Sequence, residues 1–333
     1  MLRVGESAVV RKALKLASPA MEKFIEGCEV IRQAPMDGEP AFMARQLVQC
    51  TLPHSNPGDV PVWTRRNGNT SLTLQPGFDE KDQCIGFPFG TLPRLLLFWM
   101  IREILRTNSR HLNLCGRDDS GKENNTLSGF MRELSLIPAS AGGHAARRLK
   151  DQMRRLFNCR ISFRITEDTG ERQGERWMHM EVAPEGELWW DVKRPEQGSL
   201  WNSWIEVGEK FYQAVIQSPV PVDMRALRLL KNSALCLDLY SWCVWKAFEA
   251  RRTGRKQSIA WKTLMRQLGC EYGGKDSEKT FKKNAAAAMR KVRNAYPALK
   301  TGKEIGGFSV LPSSGLAIVP RAPRRKLETP ATA

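Results

Sequence analysis

Between Ser277 and Tyr296 the chain collects cations at helical spacing. Lys279, Lys283, Ala286, Arg290 and Arg293 recur every three or four residues, with Lys282 and Asn284 beside them. On an α-helix these positions share one face, while Phe281, Ala285, Ala288, Met289 and Val292 share the opposite one. The chemistry open to such a face is electrostatic and hydrogen-bonding contact with a polyanion, not bond making. Lys279, Lys282, Lys283 and Asn284 fall in the first turns, the part of a recognition helix that usually enters a major groove. Of the alanines from Ala285 to Ala288, only Ala286 is expected to point outward, where its methyl can meet a thymine methyl. Arg290, Arg293, Lys300 and Lys303 are expected to hold phosphates, which positions a protein without specifying sequence.

A second segment has the same character. Arg147, Arg148, Lys150, Arg154 and Arg155 surround an apolar stripe of Leu149, Met153, Leu156 and Phe157. The elements that must position it read clearly. A short helix begins near Asn125 or Thr126, whose side chains can cap free N–H groups. It buries Leu127, Phe130, Met131 and Leu134, and Pro138 and Gly142-Gly143 then break the chain. A strand from Arg160 to Ile165 follows the basic helix, alternating polar and apolar side chains. Helix, turn, basic helix and strand in that order predict a winged helix-turn-helix. The pattern returns one domain-length later. Trp261, Leu264, Met265 and Leu268 repeat the first stripe at a constant interval, and Met289-Arg290-Lys291-Val292 echoes Met153-Arg154-Arg155-Leu156. Two copies of one unit say more than either alone.

The remaining elements follow from local signals. A helix is expected up to about residue 34, interrupted or opened by Pro19, and Pro53, Pro57 and Pro61 mark an irregular connection. Asn67-Gly68 between alternating segments predicts a hairpin with a type I′ turn. Pro93 to Arg106 is an apolar helix suited to the first core. Arg176 to Val182 reads as the strand returning from the first wing, Trp201 to Val207 as another strand and Glu209 to Ile216 as a short helix. Trp189 and Trp190 could stack on bases, but Glu185, Glu187 and Asp191 around them favour packing against the wing. Ser218-Pro219-Val220-Pro221 is the strongest candidate boundary. Beyond it, Asp223 caps a helix to Leu230, a helix runs from Ala234 to Arg251, a basic turn follows, and Ser258 caps the second short helix. Leu299 to Thr301 and Phe308 to Leu311, around Gly306-Gly307, make a second wing. The expected fold is α+β: two tandem winged helix-turn-helix domains, mainly helical with small β wings. The expected division is a helical segment and connection over 1–58, domains over 59–218 and 219–319, and a disordered basic tail over 320–333.

Composition narrows the function. The 333 residues, 41% hydrophobic, suffice for two domains, and 52 Lys plus Arg against 35 Asp plus Glu give a net charge of +17. That field attracts polyanions, nucleic acid first and anionic membrane second. Insertion into a membrane is not expected, because the most apolar run, Leu95 to Ile101, is too short to span. The charged stretch from Met1 to Ala20 does not read as a signal peptide, which points to the cytoplasm. The eight cysteines include no C-x-x-C pair and read as reduced, mostly buried small hydrophobes. His54, His111, His144 and His179 are scattered, so no metal site or other cofactor is expected. Gly116, Gly121 and Lys122 match part of a phosphate-binding loop, but Glu123 replaces the hydroxyl that would hold magnesium. Asp118 and Asp119 would also repel phosphates. No catalytic triad or carboxylate pair stands out, so the chain is not expected to be an enzyme. A rolling-circle nuclease would need clustered histidines and a nucleophilic tyrosine, and Tyr212, Tyr240, Tyr272 and Tyr296 have no such histidines near them in sequence.

The blocks LPRLLLFWMIREILR, TLSGFMRELSL, RRLKDQMRRLFNCRISF, APEGELWWDVKRP, SWIEVGEKFY, PVPVDMRALRLLKNSALCLDLYSW and GGFSVLPS, in this order from about Cys50 to Ser313, resemble plasmid-encoded RepA-type replication initiators. The resemblance implies two winged-helix domains that bind direct repeats in double-stranded DNA at a plasmid origin and help to open an adjacent A·T-rich segment. It also implies recruitment of the host initiator and replicative helicase, and a dimeric form that represses its own gene. A transcriptional repressor using the same helices without melting the duplex fits the residues equally well.

Overall fold

The computed structural model describes residues 18–117, 123–124, 127–134, 136, 144–168, 170, 172–189, 203–217, 219–268 and 276–318. Pro19 begins α1 (Pro19–Gln33) at the one helical position where its missing N–H costs nothing. A short strand β1 (Pro40–Ala44) and helix α2 (Arg45–Gln49) follow. The hairpin β2 (Trp63–Asn67) and β3 (Thr70–Gln75) forms where the Asn-Gly signal lies, but its turn is shifted by one residue. Asn67 pairs with Thr70, so Gly68 and Asn69 are the central residues, and only Gly68 has positive φ (57°). Positive φ at the first central residue alone belongs to type II′, not type I′. The expected turn type is therefore corrected.

Helix α3 (Thr91–Thr107) is the apolar helix of the first half. It buries nearly every side chain from Leu92 to Ile101 and ends at Asn108 in the left-handed region. Strand β4 (His111–Asn113) and a small β5–β6 pair (Gly116–Arg117, Glu123–Asn124) lead to α4 (Leu127–Glu133) and the basic helix α5 (His144–Phe157). Phe130 on α4 meets Trp99 on α3 edge to face at 4.9 Å. Strands β7 (Arg160–Asp168) and β8 (Gln173–Glu181) return antiparallel. They join the earlier hairpin in one four-stranded sheet, ordered β2-β3-β7-β8. Strand β10 (Trp204–Glu206) pairs with β4 on one side and with β9 (Glu185–Glu187) on the other, in a separate three-stranded sheet, and α6 (Glu209–Gln217) closes this half. The capping residues Asn125 and Thr126, the breakers Pro138 and Gly142-Gly143, and Trp190 lie outside the described residues, as do residues 1–17 and 319–333.

The proline-rich stretch expected to separate two units is a strand from Pro219 onward. β11 (Pro219–Asp223) pairs antiparallel with β1, Ala41 opposite Val222. Every second backbone N–H along such a ladder can face away from its partner, which is how an edge strand accommodates prolines. Asp223 then caps α7 (Met224–Leu230), accepting the Arg225 N–H at 2.9 Å. Helix α8 (Ala234–Thr253) starts at the cap Ser233 and ends at Gly254, φ 66°. Residues 257–260 form a strand, β12 (Gln257–Ala260), so Ser258 is not the expected helix cap; its hydroxyl lies 3.3 Å from Glu304. Then come α9 (Trp261–Leu268), the basic helix α10 (Ser277–Ala295), and the hairpin β13 (Thr301–Glu304) and β14 (Gly307–Val310), with sheet order β12-β14-β13. Phe308 of β14 packs between Trp242 of α8 and Trp261 of α9, with ring centroids 5.5 and 5.2 Å away.

The buried side chains form one continuous cluster from Cys28 to Val310. The N-terminal segment contributes to it: α1 packs on α7 and α10, α2 on α8, and β1 against α3. At the meeting of α3 and α8 lies a buried ionic cluster. Arg94 grips Asp238 with Nε and Nη2, both at 2.7 Å, and donates to the carbonyls of Leu52, Pro53 and Gly90. His54 Nε2 stands 2.7 Å from the second Asp238 oxygen. Arg94 is only 2% exposed. Burial alone would push the Asp238 pKa up, but Arg94's charge and the His54 and Arg94 hydrogen bonds outweigh it and hold it low. Burial holds His54 below the ordinary imidazole value, against the upward pull of Asp238. A second polar bridge joins the halves through Trp242 Nε1 to Gln267 (3.1 Å), Gln267 to Asn67 (2.6 Å) and Asn67 to the Gln49 carbonyl (2.9 Å).

Two outcomes follow from the ionic cluster. Asp238→Asn leaves a buried guanidinium without its counter-charge, so urea unfolding should show a loss of about 3–5 kcal/mol; an unchanged midpoint would deny the cluster its role. His54, with its folded pKa depressed, adds stability that is present above the unfolded value, about 6.5, and is lost as pH falls through the folded pKa. Asp238 contributes no slope until the carboxylate range. Stability should therefore fall as the pH drops below about 6.5, and His54→Gln should flatten that fall in parallel unfolding titrations.

Candidate nucleic-acid interface

Helix α10 is amphipathic as its spacing requires. Phe281, Ala285, Ala288, Met289, Val292 and Ala295 are buried, and the helix packs on α7, α8 and α9. Lys279, Lys282, Lys283, Asn284, Arg290, Lys291 and Arg293 are exposed. Ala286 is not alone on the outer face: Ala286 and Ala287 are both half-buried, because the alanine run presents two small residues at the edge of the stripe. Among the described residues no carboxylate pairs with Lys279, Lys282, Lys283, Arg290 or Arg293. Three of these lysines occupy the first two turns, where the helix dipole is already positive. The repulsion between them favours an anion at that end. Lys300 and Lys303, both exposed, lie just before and within β13.

Helix α5 has the same construction with a different balance. Ala146, Leu149, Gln152, Met153, Leu156 and Phe157 are buried. Arg147, Arg148 and Arg154 are exposed, and Lys150 is half-buried, with burial lowering its pKa. Arg155 differs from its neighbours. It pairs with Asp151 at 2.9 Å, lies over the Phe89 ring at 5.4 Å and donates to the Phe87 carbonyl. A Cβ at Gly86 would stand 2.8 Å from its guanidinium. Gln152 fixes the same loop by accepting the Phe89 N–H at 2.9 Å. Arg155 thus anchors α5 to the loop before α3, while Arg148 and Arg154 remain open to solvent. The structure places the two clusters on separate helices of one core.

Around the second cluster, Lys256 pairs with Glu304 at 2.8 Å, tying the start of β12 to the hairpin. The basic run Arg251 to Lys256 signalled this contact in the sequence only as a charged turn. The residues that sequence reasoning missed are the buried ones: His54, Arg94 and Asp238 are so far apart along the chain that no spacing rule joins them.

Among the described residues no group of His, Cys, Asp and Glu could hold a metal ion, and no helix is long and apolar enough to cross a membrane. Burial raises the thiols of Cys28, Cys50 and Cys159 to about 11, 12 and 12, which keeps them protonated and unreactive. Cys84 is exposed. The stretch resembling a phosphate loop leads from β5 into the antiparallel strand β6, not into a helix N-terminus; Asp118, Asp119, Gly121 and Lys122 lie outside the described residues. Trp189 is exposed and its backbone N–H donates to the Ser203 hydroxyl at 2.9 Å.

Comparison with known proteins finds a family match over residues 87–263, to the family described as plasmid encoded RepA protein. The match runs from the loop before α3 through α5 to the first turn of α9. No protein among the curated ones matches. Two solved structures resemble the chain in backbone course. Selenomethionine-labelled domains 2 and 3 of RctB have a TM-score of 0.43 at 12% identity, with 78% of this chain and 93% of that one covered. A second structure of RctB domains 2–3 has a TM-score of 0.39 at 8% identity, covering 80% and 94%. A match over more than half of the residues, with the basic helix α5 inside it, settles the affiliation: the chain belongs to the plasmid-encoded RepA family of replication initiators.

Proposed function

We propose that the protein binds repeated sequences in double-stranded DNA at a plasmid origin, with α5 and α10 as its two recognition helices, and acts without catalysis. The observation that carries this reading is the open row of cations along α10, a helix that follows a short helix and precedes a hairpin. The order α8, β12, α9, α10, β13, β14, with β14 between β12 and β13, supports the winged-helix reading of this half. The order α3, β4, β5, β6, α4, α5, β7, β8 supports the same reading of the first half, with the β5–β6 pair inserted, β4 paired to β10, and the hairpin β2–β3 beside β7. In this reading Lys279, Lys282, Lys283, Asn284 and Ala286 reach base edges, and Arg290, Arg293, Lys300 and Lys303 hold phosphates. Arg147, Arg148, Lys150 and Arg154 supply the first half's contacts. Arg155 is engaged elsewhere and contributes least.

Family membership supports origin opening, contact with the host initiator and replicative helicase, and a dimer that represses its own gene as parts of the same proposal. A plain repressor would use the same helices. Footprinting on the native origin with a reagent that attacks unpaired bases separates the two, since only an initiator creates such bases beside its site.

Lys283 and Arg293 test the docking itself. Lys283 lies early on α10 and Arg293 more than two turns later, where the helix should leave the groove. Lys283→Ala should cost about 1–3 kcal/mol on the cognate repeat and much less on random DNA. Arg293→Ala should weaken both alike and lower the salt slope by about one unit. The reverse pattern in fluorescence anisotropy titrations would mean that α10 docks the other way round.

A further inference from the structure

The four-stranded sheet β2-β3-β7-β8 has a face that the duplex contacts do not use. Its inner face carries Trp63, Leu72, Leu74, Ile161, Phe163 and Met180, all buried. The other face is open, and its registers are fixed. Arg66, Ser71, Arg164 and Trp177 stand in one row across the four strands. Thr64, Thr73, Ser162 and His179 stand in the next, with Thr64 and Thr73 hydroxyls 3.3 Å apart and Ser162 Oγ 2.8 Å from His179 Nδ1. Gln75, Arg160 and Glu181 make a third.

An antiparallel sheet facing water normally alternates to small and polar side chains there. The hydroxyl row obeys that rule, and Trp177 breaks it. Its side chain is 61% exposed at the end of a row that also holds two arginines. The row beside it carries three hydroxyls and, next to Trp177 on β8, His179. Arg66 has no carboxylate in ion-pair distance among the described residues. Arg164 pairs with Glu175 at 2.9 Å and Arg160 with Glu181 at 3.3 Å, all of these side chains well exposed. Surface pairs of this kind are weak, and a phosphate can replace the carboxylate at little cost. Three arginines against two glutamates, with an open aromatic among them, ask for a ligand that repeats negative charge and offers flat rings. A duplex keeps its rings stacked inside. A single strand presents both, and base-on-aromatic stacking needs no particular sequence.

We infer that this sheet face binds single-stranded DNA, with a base stacked on Trp177 and the strand's phosphates met by Arg66 and Arg164. The row from Arg66 to Trp177 spans three strand spacings, about 14 Å. This site is independent of α5 and α10, and the two can fail separately.

The test uses the full chain and two fluorescein-labelled probes: oligo(dT) longer than the ~4–16 nucleotides such platforms cover, and a duplex origin repeat. Trp177→Ala should weaken oligo(dT) binding about 5- to 150-fold, leave duplex binding unchanged, and be largely rescued by Trp177→Phe. Arg66→Ala should reduce the salt slope on oligo(dT) by about 0.7. Oligo(dT) affinity unchanged in Trp177→Ala would overturn the site, as would equal losses on both probes or tighter binding of oligo(U) than of oligo(dT). Trp177-dependent oligo(dT) binding in a protein that does not hold the duplex would uphold this site and remove the role given to α5 and α10.

Discussion

A carboxylate buried between two helices is tolerable only if its charge is answered on the spot. Asp238 meets that condition through the forked contact from Arg94 and the imidazole of His54, while Arg94 spends its remaining donors on three backbone carbonyls from two separate stretches. Replacing such a cluster with apolar residues can leave stability unchanged, but removing one member cannot. Its effect here is geometric. It fixes α3 of the first half, α8 of the second and the connection at residues 52–54 in one register. The Trp242–Gln267–Asn67 bridge and the β1–β11 ladder add two more ties between the same parts. The two basic helices therefore project from a shared core, and their relative placement is a property of that core.

The surface charge has a different logic. Lysines in the first turns of α10 oppose the helix dipole and one another, so they do not stabilise the helix they sit on. The helix is held instead by its buried stripe, in which Phe281 and Val292 are wholly enclosed. Stability and charge are thus supplied by opposite faces, which lets the outer face carry cations that the fold does not need. On α5 one cation has been drawn back into the structure: Arg155 is occupied by Asp151 and by the loop at Gly86 to Phe89. The family match includes α5, where one arginine has become structural, and stops short of α10, where the row is open.

Much of this was readable from periodicity. The stripes of α4, α5, α9 and α10, the apolar helix α3, the Asp223 cap and the hairpins β7–β8 and β13–β14 follow from local spacing and capping chemistry. What local spacing could not supply was pairing at a distance. The hairpin β2–β3 was legible as a hairpin, but nothing in residues 63–75 says that its outer partner is β7, which begins only at Arg160. Pro219 and Pro221 read as a domain boundary because prolines usually interrupt ladders, and only the partner strand β1 shows how they are accommodated. Ser258 has the residue type of a helix cap yet lies in a strand, because the β14 partner decides its backbone. In the candidate site the charges were visible, whereas the sequestration of Arg155 depended on a loop more than sixty residues earlier.

The central claim is that one rigid core presents two helices to the same DNA. Hydroxyl-radical footprinting on the native origin tests it most directly, comparing the unaltered protein with Arg148→Glu/Arg154→Glu on α5 and with Lys279→Glu/Lys283→Glu on α10. Two patches of protection on one face of the duplex, separated by about one helical turn or a multiple of it, are expected, and each charge reversal should erase its own patch first. A single patch that both reversals weaken equally, or protection that neither reversal alters, would contradict the account.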